Sequence, residues 1–202
     1  MTEEIIYFPL GTRCTTASML ADVFKKRVAS YPFDWIDIEF SVIQKMLNIE
    51  YDNIEAYFTE YFKNVRVSTQ RHVEDNTWFP HDFIDASGLE AIQIMTEKYI
   101  RRFKRMHELF ESGKDILFLT ITPFIYERNY SVYFQIMRLL QEKVKGKSKF
   151  IAVNITDVDF STEHFTHFYI PLVRDDNGWE LFEKSIAEKL QSDITTSKYF
   201  QL

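Results

Sequence analysis

The chain contains one cysteine, Cys14, and five histidines. Cys14 lies in "GTRCTTASML", between an apolar, strand-like run and a helix-like one. A thiolate is the reactive form of cysteine, and a helix N-terminus stabilises it through the dipole and the free backbone N–H groups. Arg13 beside it would lower the thiol pKa further. The N–H groups of residues 14 to 16 could receive the oxyanion of an acyl transfer. Gly11 would let the backbone turn tightly and approach a ligand, so Gly11, Arg13 and Thr15 are expected to face the substrate. A lone cysteine can equally be a small core hydrophobe. The strand–Gly–x–x–Cys–helix arrangement is what makes Cys14 a candidate nucleophile.

A nucleophilic thiol needs a base. His81 in "WFPHDF" is the first choice, because it lies in a polar loop with Asp75, Asp82 and Asp85. A carboxylate there could fix the tautomer and orientation of the imidazole. His72 is the second choice, and His164 or His167 would serve only if their strand lies beside the first. His107 falls next to the apolar stripe of a long helix, which marks it as structural. Asp34, in "YPFDW", is either the cap of a turn or an orienting carboxylate, with Trp35 beside it as a substrate-facing ring. The catalytic set is therefore Cys14, His81 and either Asp34 or Asp82.

Other chemistries lack residues to carry them. One Cys and scattered His do not make the paired spacings of a zinc site, and no Gly-rich phosphate loop is present, so neither metal nor cofactor is expected. The net charge of −6 argues against a nucleic-acid binder. The basic stretch "KYIRRFKRMH", residues 98 to 107, reads as the solvated side of an amphipathic helix, or alternatively as a patch for an anionic ligand. A single cysteine forms no internal disulfide, the first residues do not resemble a signal peptide, and no apolar run reaches membrane-spanning length. The expected setting is cytoplasmic, without membrane contact, and the "NYS" and "NIT" triplets at Asn129 and Asn154 then carry no weight.

The elements that must position these groups can be read from hydrophobic pattern. With 202 residues, 46% of them hydrophobic, the chain suits one compact domain. Residues 4–10 are expected as a strand and 15–28 as a helix. "SYPFDWID" is expected as a turn, followed by helices at about 39–48 and 53–62 and a strand at "NVRVST". Gly88 opens the strongest helix, with Leu89, Ile92, Met95, Tyr99, Phe103, Met106 and Phe110 in one stripe, and Gly113 is its C-cap. The apolar runs "DILFLTIT", "KFIAVNIT" and "FTHFYIPL" are strands, and helices lie at "NYSVYFQIMRLLQEKVKG" and "GWELFEKSIAEKLQS". Alternating strands and helices predict an α/β fold, a single three-layer domain whose mostly parallel sheet has helices on both faces. Sites in such sheets collect at the carboxyl ends of the strands, which favours the Gly11–Thr15 loop and adds Glu127 and Arg128 after the "DILFLTIT" strand.

The set "LGTRCTTASML", "YPFDW", "FPHDF", "KYIRRFKRM" and "DILFLT" resembles domain-of-unknown-function family 1796, described as "putative papain-like cysteine peptidases". The resemblance runs from about Tyr7 to Thr156 and rests on Gly11, Cys14, Ala17, Pro32 to Trp35, His81 to Phe83, and Arg101, Arg102 and Arg105. It implies a peptidase-like activity with Cys14 as nucleophile, His81 as base and Asp34 or Asp82 orienting.

Two functions follow as expectations. The first is a thiol-dependent hydrolase or acyltransferase acting on a small-molecule or peptide-like substrate. The second is a non-enzymatic ligand- or partner-binding domain, with an aromatic pocket at Pro32–Trp35 and Thr77–Phe83 and an anion held by the basic side at 101–105.

Overall fold

The computed structural model describes residues 5–23, 29–82, 88–122, 130–156, 159–170 and 181–189. Strand β1 (Ile6–Pro9) leads into helix α1 (Cys14–Ser18), which widens into a π-helical turn at Met19–Val23. Helices α2 (Phe40–Leu47) and α3 (Ile54–Lys63) follow, then a hairpin of two short strands, β2 (Val65–Arg66) and β3 (Arg71–His72). Helix α4 (Gly88–Glu111), strand β4 (Ile116–Ile121), helix α5 (Tyr130–Lys143) and strand β5 (Ser148–Val153) alternate. Strands β6 (Phe160–Ser161) and β7 (Phe165–Phe168) and helix α6 (181–189) complete the described chain.

The sheet order is β1-β4-β5-β7-β6; the first four strands are mutually parallel, and only the two-residue β6 runs antiparallel, against β7. This is the expected α/β architecture, a mostly parallel sheet between helices. The side-chain period of two divides the strands between two apolar clusters. Ile6, Phe8, Ile116, Phe118, Phe150 and Phe165 face the larger one, beneath α2 to α5. Leu117, Leu119, Ile121, Ile151 and Val153 face the smaller one, with Met19 and Leu20 after α1 and Phe182 and Ile186 of α6. Every residue of β4 is buried because both faces of a central strand are covered, which is why its sequence is an unbroken apolar run.

Helix α4 forms because its stripe matches the helical period: Met95, Tyr99, Phe103, Met106 and Phe110 are all buried and Ile92 is part-buried, whereas Leu89, in the first turn, is exposed. Phe103 packs against Phe33 and Phe58, at ring-centroid distances of 5.9 and 4.4 Å. Burying one such ring favours folding by about 1.5–3 kcal/mol. Gly113, at φ +74°, ends the helix as expected, since a left-handed residue at that position is easiest for glycine.

Two local expectations changed. The helix after Cys14 is α-helical for only five residues before the π turn, which allows the sequence neighbours Met19 and Leu20 both to be fully buried. "NVRVST" supplies only the two residues of β2, because the chain turns at 67–70 to pair with β3. Residues 24–28 of the expected first helix lie outside the described residues, as do Phe83, Asp85, Glu127 and Arg128.

Candidate active site

The carboxyl end of β1 delivers Cys14. The N–H of Leu10 still pairs with β4, donating to the Leu119 carbonyl at 2.8 Å. Thr12 then takes φ 136°, a conformation that β-branched residues rarely adopt, and the chain enters α1 at Cys14. The turn is thus made at Thr12. Gly11 serves a different purpose, since a Cβ there would meet the Phe33 Cβ at 3.1 Å and the Ile38 Cγ2 at 3.3 Å. Its missing side chain makes room for the neighbouring protein segment, which is a packing role. Thr16 locks the start of α1 to the sheet: its hydroxyl accepts from the Ile121 N–H at 2.9 Å and donates to the Ile121 carbonyl at 3.3 Å. Thr15 is buried, and Cys14 itself is part-buried.

Residues 31–38 form the second wall. Tyr31 to Asp34 make a turn in which the Asp34 N–H donates to the Tyr31 carbonyl (3.3 Å) and the Tyr31 N–H donates to Asp34 Oδ2 (3.0 Å). Asp34 is fully buried, and this carboxylate contact belongs to its own turn. Trp35 follows with φ 63°, and its ring lies edge-on to His81, with centroids 5.5 Å apart and planes at 75°.

Residues 37 and 38 hold the three segments together. The Ile38 N–H donates to the Thr12 carbonyl at 3.0 Å, on the Cys14 side. On the other side Asp37 and Trp78 exchange both backbone hydrogen bonds, each 2.9 Å. The loop that carries Cys14 and the loop that carries His81 therefore flank the same extended segment, one backbone hydrogen bond away on each side. Two strand spacings put the backbones of Thr12 and Trp78 about 10 Å apart, and Cys14 and His81 lie two and three residues beyond them.

His81 is exposed on its loop, while Asp82 next to it turns inward. The Asp82 carboxylate, 1% exposed, pairs with the Lys98 ammonium and accepts from the Tyr99 hydroxyl at 3.1 Å, so both oxygens are engaged by α4. It anchors the His81 loop to that helix. His72 lies beyond Trp78, with its N–H donating to the Thr77 carbonyl, and its ring stacks on Tyr61 at 4.0 Å. One further strand spacing separates its backbone from that of Thr12, about 15 Å in all, and its ring serves the β2–β3 hairpin, where Nδ1 accepts from the Asp75 N–H at 3.3 Å. His167 is buried on β7, where its Nε2 accepts from the Ile155 N–H at 3.0 Å.

Sequence reasoning missed Asp37. Its carboxylate lies 3.9 Å from the Arg13 guanidinium, with both side chains more than a third exposed. The signal was available in "WIDI", where one acid alternates with apolar Ile36 and Ile38, both buried. Arg13 and Asp37 act on Cys14 in opposite senses. Burial is the largest influence and pushes the thiol up; the backbone N–H groups of Cys14 and Thr15 and the Arg13 charge pull it down, and Asp37 pushes it up again. The net direction is upward, contrary to the depressed value expected from the helix N-terminus and Arg13.

Four of the basic residues of α4 are engaged within the fold, while Arg101 is exposed. Lys98 pairs with Asp82, Lys104 with Glu55 at 2.5 Å, Arg105 donates to the Ser30 carbonyl at 2.8 Å, and Arg102 is buried over the Tyr99 ring. Of the expected aromatic pocket, Phe33 and Phe79 are core residues, while Trp35 and Trp78 are only part-buried. Among the described residues, no group of three or more His, Cys, Asp or Glu is arranged to hold a metal ion. Among the same residues, no helix is long and apolar enough to cross a membrane.

Comparison with known proteins bears on this site. The model of the family described as "Putative papain-like cysteine peptidase (DUF1796)" matches residues 5–162, which include Cys14, the segment 31–38 and His81. An "Uncharacterized protein R408" of Acanthamoeba polyphaga mimivirus is 28% identical over 142 residues, covering 59% of this chain and 62% of that protein. The chain thus spans about three fifths of the length of the curated relative it matches. No solved structure matches the chain.

Proposed function

The chain belongs to the DUF1796 family, and from that premise we propose that it is a thiol-dependent acyl-transfer enzyme, a hydrolase or acyltransferase with Cys14 as nucleophile and His81 as base. What supports this reading is the segment 37–38, whose backbone bonds to Thr12 on one side and to Trp78 on the other, together with the Trp35 ring against His81. The family description supports the same class of chemistry.

Because burial disfavours the thiolate, the thiol proton leaves as the S–C bond forms. Sγ attacks the acyl carbon, the carbonyl π pair moves onto oxygen, and an imidazole nitrogen of His81 takes the thiol proton. Collapse of the tetrahedral state breaks the bond to the leaving group, which takes the proton from His81. Water, or an acceptor nucleophile, then attacks the thioester by the reverse sequence and frees Cys14. The Trp35 ring orients His81, and the anchor from Asp82 to Lys98 and Tyr99 fixes its loop. Asp34 acts at one remove, by closing the turn that presents Trp35.

The test is turnover of activated esters and thioesters by wild type, Cys14→Ala, Cys14→Ser and His81→Ala. General-base assistance contributes about 10²–10⁴-fold, so His81→Ala should lose at least 100-fold and Cys14→Ala all turnover above background. Undiminished turnover in Cys14→Ala would eliminate the reading.

A further inference from the structure

Asp37 pairs with Trp78, Trp78 with Arg71, and Arg71 with Arg66, so four side chains stand in one row across neighbouring segments. Directly paired residues share a face, because side chains alternate along each segment. That face is the outer one. The chain neighbours Ile36, Ile38, Thr77, Phe79, His72 and Val65 are buried, whereas the four in the row are part-buried or exposed. Arg66 and Arg71 form an unfavourable pair, since like charges directly opposite each other destabilise neighbouring strands. Among the described residues neither guanidinium is paired with a carboxylate. Asp75, close by in sequence, turns to the buried face, where it accepts from the Tyr61 hydroxyl at 3.0 Å and the Thr77 N–H at 3.0 Å. Arg71 is nonetheless held in place. Its Nη1 donates to the Asn76 carbonyl at 3.2 Å and to Asn76 Oδ1 at 3.3 Å, and its guanidinium lies over the Trp78 ring, 4.9 Å from the centroid. Two accessible cations are thus set side by side, one of them fixed against an indole, with the local acid turned away.

We propose that this outer face binds an acidic segment of a peptide substrate, with its carboxylates on Arg66 and Arg71 and the adjoining residues across Trp78. The inference supplies a substrate class for the function proposed above, and rests on that reading only in calling the bound peptide a substrate. A guanidinium fork suits a carboxylate, which it can hold through two parallel hydrogen bonds. The row leads toward Cys14. Asp37, at its far end, lies 3.9 Å from Arg13, and the charges of both act on the Cys14 thiol. Three strand spacings separate Arg66 from Asp37, about 14 Å, which four or five extended residues span. A peptide held at the arginines therefore reaches the Cys14 end of the row. Asp37 and the net charge of −6 repel a continuous polyanion, which selects a discrete acidic group over a nucleic-acid backbone.

The test is fluorescence anisotropy of a labelled heptapeptide with two central glutamates, against the same peptide with glutamines, and thermal unfolding run in parallel. Wild type should bind the glutamate peptide about 10-fold more tightly, as expected for charge-assisted hydrogen bonds. Arg66→Gln and Arg71→Gln should each lose about 5-fold. Lys63→Gln removes an exposed cation that Glu60 already engages, and should leave the affinity unchanged. The Tm of Arg66→Gln should stay level or rise, because a like-charge pair is relieved. Equal binding of the two peptides overturns the inference, as does an Arg66→Gln loss accompanied by a fall in Tm. An equal loss in Lys63→Gln overturns it in favour of general charge attraction. Displacement of the peptide by equimolar inorganic phosphate overturns it in favour of a phosphate site. Binding is read without turnover, so these failures leave the proposed role of Cys14 standing. Absence of an acyl adduct on Cys14 overturns that role instead, and with it the description of the bound peptide as a substrate.

Discussion

Asp82 offers a quantitative test of how His81 is positioned. Its buried carboxylate pairs with Lys98 and accepts from the Tyr99 hydroxyl. Asp82→Asn keeps the shape and one acceptor oxygen but removes the charge. The Tyr99 hydroxyl is fully enclosed and keeps the remaining oxygen, while Lys98, at 29% side-chain exposure, recovers part of its hydration. The loss is then close to that of one charge-assisted hydrogen bond, about 1.5–3 kcal/mol. For a chain of this length each kcal/mol moves Tm by about 2–4 °C, so thermal unfolding should show a fall of roughly 3–12 °C. Asp82→Ala also strips the Tyr99 hydroxyl of its partner and should cost more. If Asp82 instead served to orient His81 directly, Asp82→Asn would lower turnover and leave Tm nearly unchanged. A Tm within one degree of wild type would refute the anchor.

Further outcomes follow from the same geometry. Alkylation of Cys14 by iodoacetamide should be slow at neutral pH, with a midpoint above the ordinary thiol value because burial disfavours the thiolate; Asp37→Asn should lower that midpoint and Arg13→Gln raise it. Gly146→Ala should be far more destabilising than Gly113→Ala in denaturant melts. A Cβ at 146 would stand 2.1 Å from the Lys114 carbonyl oxygen, whereas at 113 it meets nothing and costs only the left-handed backbone, about 1–2 kcal/mol. His107 is held below its ordinary pKa, first by burial and then by the charge of Lys143. The unfolded chain thus binds the extra proton first, and stability should fall as pH drops from about 6.5 through the folded value. His107→Gln should flatten that part of the stability–pH curve.

Elements with a strong period were legible in the sequence. The unbroken apolar run of β4 and the stripe of α4 each extend far enough to specify burial, and Gly113 marked the end of the helix. The two-residue strands β3 and β6 were not legible, because two residues carry no period. At the site, sequence supplied residue types but not partners. Asp82 is claimed by Lys98 and Tyr99, 16 and 17 residues further on, and no local pattern records that pairing. Asp37 and Thr12 were missed for the same reason. Their importance arises from a backbone ladder joining residues 12, 38, 37 and 78, which are distant in the chain. The sequence indicated Arg13 as an activator of Cys14, but burial and Asp37 outweigh it, and both depend on the tertiary structure.

The central claim is that Cys14 carries the acyl group, and the most direct measurement is intact mass after rapid quenching with an activated acyl ester. The account predicts one acyl adduct per chain, mapped to Cys14 by peptide digestion, absent in Cys14→Ala and forming at least 100-fold more slowly in His81→Ala. Ester turnover that persists in Cys14→Ala, with no adduct on wild type, would contradict it.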